Sequence, residues 1–120
     1  MAIDTRDLGP GRVVLTPVGD LDMAGAPELD RALDAVLDRP ALVEIVVDLA
    51  AVTFLDSTGV AALLRGAAEA VGRGAALRVT RPQPLVARVL RITSVDVLLG
   101  LTTDPGGEGS ATGGGWRRLR

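Results

Sequence analysis

The residues best suited to chemistry in this chain are Asp56-Ser57-Thr58-Gly59. They follow an apolar run, Leu42 to Leu49, that reads as a buried strand. They precede Val60 to Val71, whose apolar spacing is that of a helix. A hydroxyl beside a carboxylate therefore opens a helix just after a strand. The first N–H groups of a helix lack intrahelical partners, and that end of the macrodipole is positive. A phosphate on Ser57 is favourably placed there, and it would add roughly two negative charges to the surface. The same residues suit a plain N-cap, because Ser, Thr and Asp are favoured at helix starts for local hydrogen bonding alone. The residue types leave both readings of Ser57 open. Asp56 serves equally as a cap or as a first-turn carboxylate, and Thr58 is the alternative hydroxyl.

Other chemistries lack their parts. The chain has no Cys and no His, so thiolate chemistry and the usual general base are missing. Every basic side chain is Arg, which excludes a Walker A lysine and a Schiff-base lysine. The serine is not flanked as Gly-x-Ser-x-Gly, and no phosphate-cradling glycine loop is present. Asp48, near a strand end, resembles a receiver-type phosphoacceptor, but the chemistry that resemblance implies also uses a lysine. Asp20, Asp22 and Asp56 could be paired for acid–base work, yet a solvated loop is the better reading of them. No metal and no cofactor are expected.

Composition sets the frame for these residues. A chain of 120 residues predicts one domain with a real core. Hydrophobic residues make up 48% and aromatics only 2%, so that core must be built from Val, Leu, Ile and Ala. A net charge of −2 argues against nucleic acid as the main partner. No apolar run reaches the roughly 18 residues of a membrane span. Met1-Ala2-Ile3-Asp4 lacks the features of a signal peptide, so the expected compartment is the cytoplasm.

The elements that must position the motif follow from periodicity. Ala2–Leu8 and Arg12–Val18 read as strands joined by the Gly9-Pro10-Gly11 turn, a hairpin. Gly19-Asp20-Leu21-Asp22 ends the second strand, and Asp22 is a candidate N-cap for a helix over Asp22–Asp38. Leu29, Leu33, Val36 and Leu37 share one face of that helix. Leu42–Leu49 is near-continuously aliphatic, as in a strand that is central or covered on both faces. The spacing then predicts a helix over Ser57–Val71, a short strand over Ala75–Thr80, a helix over Pro84–Arg91 and a final short strand over Val97–Leu101. From Pro105 the chain is Gly-rich, so residues 1–104 are expected to form the domain and 105–120 a flexible tail. Strands alternating with helices imply an α/β fold with parallel pairing and right-handed crossovers. Loops beyond strand C-termini carry function in such folds, and the Gly19–Asp22 and Asp56–Gly59 segments both sit there.

Val47-Asp48-Leu49, then Val52-Thr53-Phe54-Leu55-Asp56-Ser57-Thr58-Gly59-Val60 and the Leu63-Leu64 helix, resemble the STAS domain. They resemble most closely the bacterial anti-sigma factor antagonists, and Gly19-Asp20-Leu21-Asp22 is similar to that family's Gly-Glu-Leu-Asp turn. The resemblance covers about residues 2 to 101. It implies a single STAS-like domain with a mixed four- to five-stranded sheet. It raises modification of Ser57 above capping, though both can hold together. The implied mechanism is a partner switch without catalysis by this chain. The unmodified antagonist binds an anti-sigma factor, commonly a serine kinase, and a sigma factor is released. The kinase phosphorylates Ser57, the complex dissociates, and a PP2C-type phosphatase restores the serine. The implied partner-binding residues are Asp20, Asp22, Asp56, Ser57, Thr58 and Gly59. Asp20 departs from the family's Glu, Arg91 to Asp96 departs from a typical Gly-Leu-Asp turn, and no final helix is evident. The alternative is a STAS adaptor that does not switch, in a stress-signalling or lipid-transport assembly.

Overall fold

Gly9-Pro10-Gly11 reverses the chain, and Ala2–Gly9 (β1) pairs antiparallel with Arg12–Leu21 (β2) in the computed structural model, which describes residues 1–101. Ala26–Leu37 (α1) then leads to Glu44–Asp48 (β3), Val52–Leu55 (β4), Ser57–Gly72 (α2), Ala76–Thr80 (β5) and Pro84–Ile92 (α3). The sheet order is β1-β2-β3-β5. β2–β3 and β3–β5 are parallel, so the sheet is mixed and the aliphatic run at Leu42–Leu49 supplies its central strand. β4 is the fifth strand. It lies parallel to the C-terminal end of β2, with Leu21 opposite Leu55.

Strand alternation divides the sheet into two unlike faces. Val13, Leu15, Ile45, Val47, Leu77 and Val79 point to one side and are buried. They form one core with Leu29, Leu33 and Val36 of α1, Leu63 and Ala70 of α2, and Val86 and Leu90 of α3. α2 lies against both α1 and β5, and α3 lies against β4. The other side is polar at its margins. Glu44 on β3 takes Arg12 from β2 at 3.5 Å and Arg78 from β5 at 3.0 Å. Asp48 takes Arg81 at 2.6 Å, and its side chain is only 13% exposed. These pairs tie neighbouring strands together on the side away from the helices.

The start of α2 is fixed by contact. A methyl group at Gly59 would stand 2.3 Å from the Leu21 carbonyl oxygen and 2.7 Å from Leu55 Cδ1. Only a residue without a side chain lets the helix come this close to the end of β2.

Four expectations are corrected. β4 was not expected; Val52-Thr53-Phe54 is β-rich, but four residues are too few to separate from a connecting loop. β2 runs on through Leu21, so Gly19–Leu21 is paired strand and not loop. α1 begins at Ala26, not Asp22: Asp22 Oδ1 accepts from the Ala24 and Gly25 N–H groups, both at 3.0 Å, and closes a turn ahead of the helix. Val97–Leu101 is a run of turns and not a strand. Its N–H groups bond locally, Leu99 to Val95 and Leu101 to Asp96, and its one backbone hydrogen bond with β5 is that of the Leu99 carbonyl, which accepts from the Val79 N–H at 2.9 Å. The expected tail, 105–120, lies outside the described residues.

Gly59→Ala is expected to cost about 2 kcal/mol or more through the backbone clash. Gly72→Ala, with open space around it, should be neutral or stabilise by about 0.5 kcal/mol. Urea unfolding of both variants checks the contrast. Asp48 supplies a second expectation. Burial works to raise its pKa, but hydrogen bonds from Arg81 and the Ala50 N–H, with the charges of Arg81 and Arg6, outweigh burial and lower it. A folded-state pKa below the unfolded value adds stability above the ordinary carboxylate range, lost as pH falls through the folded value. The stability gap between the wild type and Asp48→Asn should therefore be widest near about pH 6 and close below about pH 4, as followed by denaturation across that range.

Candidate functional site

Asp56 bridges β4 and α2 in an extended conformation (φ −117°, ψ −173°). Its Oδ1 accepts from the Thr58 N–H at 2.9 Å and from the Gly59 N–H at 3.2 Å. Asp56 is therefore the N-cap, and Ser57 is the first residue of the helix proper. Of the two readings that the sequence left open at Ser57, the capping one falls away. Its side chain is exposed, Thr58 is half-buried and Gly59 is buried.

The two loops expected to share one edge do so. The Asp56 N–H donates to the Leu21 carbonyl at 3.4 Å. Thr53 Oγ1 donates to Asp20 Oδ1 at 2.8 Å, and Asp20 stands opposite Phe54 in the ladder. Asp22 follows at once, in its own turn. The site thus gathers Asp20, Asp22, Asp56, Ser57, Thr58 and Gly59 at the C-terminal ends of β2 and β4. Sequence reasoning missed Thr53, which holds Asp20, and Met23, 76% exposed in the turn after Asp22.

The electrostatics are one-sided. Among the described residues no arginine forms an ion pair with Asp20, Asp22 or Asp56. The edge is acidic, and each carboxylate accepts a hydrogen bond from its own loop or its neighbour. This changes the expectation about the helix end. The Thr58 and Gly59 donors already serve the Asp56 carboxylate and are not open to a phosphate on Ser57.

Ser57 has no histidine to activate it, and Asp56 spends an oxygen on its own helix. Among the described residues no group of three potential metal ligands comes together. None of the described helices is long and apolar enough to cross a membrane.

Known proteins share this fold. A family model described as Mlab, STAS domain, matches residues 5–101. An anti-sigma factor antagonist from Mycobacterium paratuberculosis is 29% identical with a TM-score of 0.74, over 86% of this chain and 86% of that one. The anti-sigma factor antagonist SpoIIAA in its unphosphorylated form is 20% identical with a TM-score of 0.70, over 88% of this chain and 91% of its own. The phosphorylated form of SpoIIAA, a Bacillus cell fate determinant, is 19% identical with a TM-score of 0.63, over 88% and 95%. At such identities the SpoIIAA pair speaks for the fold alone. No curated protein sequence matches the chain. The family model spans nearly every described residue: the chain belongs to the STAS domain family.

Proposed function

We propose that this chain is an anti-sigma factor antagonist that binds its partner through the edge formed by Asp20, Asp22 and the start of α2, and that phosphorylation of Ser57 switches it off. The observation that carries this reading is the separation of duties between neighbours. Asp56 caps the helix, and Ser57 is left exposed at its first position. The relative from Mycobacterium paratuberculosis adds support, since it is described as an anti-sigma factor antagonist.

The physics of the switch is local. Unmodified Ser57 is small and neutral, and a partner can close over it. The partner, a serine kinase, transfers the γ-phosphoryl group of ATP to the Ser57 oxygen, and ADP leaves. The new dianion must then be desolvated in the closed interface beside Asp56, and like-charge repulsion opposes this. The complex separates while the domain stays folded. A PP2C-type phosphatase hydrolyses the ester and returns the serine. A STAS adaptor that does not switch would use the same surface, with Ser57 unmodified.

Incubation with the anti-sigma kinase and ATP, followed by mass spectrometry, should place phosphate on Ser57. Phosphate on neither Ser57 nor Thr58, with a kinase active on another antagonist, would make the chain an adaptor. Ser57→Ala should bind constitutively and shift stability by less than about 0.5 kcal/mol, as for a surface site. Asp56→Ala should cost about 1 kcal/mol through cap loss. Ser57→Asp should weaken binding only in part, because one carboxylate has less charge and fewer acceptor oxygens than a phosphate. Thermal unfolding and calorimetric titration keep the stability and binding effects apart.

A further inference from the structure

α3 is apolar on two sides. Val86 and Leu90 face the core and are buried. Leu85, Val89 and Ile92 recur at i, i+4 and i+7 on another face, where Leu85 and Ile92 are each 70% exposed. That face and β4 border a groove of about 370 Å³, lined among others by Phe54, Leu55, Leu85, Arg88, Val89 and Ile92. Phe54, the chain's one phenylalanine, is 50% exposed there. Scattered exposed apolar residues are ordinary. Here Phe54, Leu85 and Ile92 converge on one groove and stay exposed.

Two further observations say what covers the groove. It is continuous with the serine site, because Thr53, Phe54 and Leu55 line it and Asp56 and Ser57 follow directly. Two residues lie between Phe54 and Ser57, so the two are three chain steps, at most about 11 Å, apart. The rim is also cationic. α3 holds Arg88 and Arg91 and no acidic residue. Among the described residues neither arginine has a carboxylate within ion-pair distance. The surface therefore changes character across a short span: acidic loops, the serine, an apolar groove, an arginine ridge.

We infer that the β4–α3 groove is a second contact for the same protein partner, and that it takes an apolar segment of that partner flanked by acidic side chains. The inference rests on the antagonist reading above. An apolar anchor in this groove supplies affinity that is independent of the charge on Ser57. The acidic flank meets Arg88 and Arg91 and speeds encounter. The groove then sets the strength of the complex, and Ser57 sets whether it persists.

The test uses the full chain and its anti-sigma kinase, with binding read by calorimetry and by association kinetics. Leu85→Ser with Ile92→Ser should weaken binding about tenfold or more while the thermal midpoint holds, since both side chains are exposed. Arg88→Glu with Arg91→Glu should slow association, more at low salt than at high. The wild type should still be phosphorylated on Ser57. If the wild type binds and is phosphorylated but both double variants bind within about twofold of it, the groove is not a contact and the antagonist reading stands. If the wild type neither binds nor is phosphorylated, the antagonist reading fails and takes the groove with it. A dimer in sedimentation that Ile92→Ser dissolves without loss of partner binding would assign the groove to a second copy and overturn the inference. So would Leu85 and Ile92 methyl signals that move on deleting residues 102–120 but not on adding the partner.

Discussion

The close approach of α2 to the end of β2 is the constraint on which the rest depends. The Leu21 carbonyl accepts from the Asp56 N–H and lies where a Cβ on Gly59 would have to be. That one oxygen fixes the distance between strand and helix. It also decides which residue caps the helix, since Asp56 is held extended between β4 and α2 and can reach the next two N–H groups. Ser57 points outward as a result. The exposure of the serine is thus a consequence of backbone packing at its neighbours.

The two faces of the sheet stabilise the domain in different ways. With almost no aromatic residues, the helix-covered face is filled by branched aliphatics, whose limited rotamer freedom suits strands. The opposite face keeps Val14 and Val46 buried beneath longer side chains, and Glu44 and Asp48 bind arginines from adjacent segments. Such partly exposed pairs add modestly to stability. They also place charge along the solvent side of the strands. β1, almost wholly exposed, carries Asp4, Arg6 and Asp7 along the sheet edge, and charged side chains there oppose pairing with another chain.

Most of the fold was legible because its long elements have strong periods. The i, i+4, i+7 and i+8 spacing of Leu29, Leu33, Val36 and Leu37 marks α1 whatever its first residue. The unbroken aliphatics of β3 mark a central strand. The failures at β4 and at the end of β2 share a cause: a backbone partner distant in sequence outweighed local preference. Val52–Leu55 becomes a strand because β2 continues to Leu21 to meet it. Asp22 has the chemistry of a cap but uses it one turn early, as Gly25 fits beneath the Asp20 carbonyl. Ser57 and Asp56 are equal as capping residues on propensity, and only the contact with Leu21 separates them. That Asp20 and Asp22 meet Asp56–Gly59 at one edge was legible because each group follows a strand end in an alternating fold. The groove was not visible, since Phe54 and α3 are separated in the sequence by all of α2 and β5.

The assignment of the cap to Asp56 also bears on how long the protein lasts. Cells remove proteins largely through their unfolded fraction. A modification that loosened α2 would shorten the lifetime of the modified form, and each cycle would deplete the pool. The helix start is secured by a neighbour, so a change at the Ser57 side chain would leave the fold that chaperones and proteases meet unaltered. Were Ser57 modified as proposed, the same molecules would survive repeated cycles, and the ratio of the two forms would not depend on synthesis and turnover.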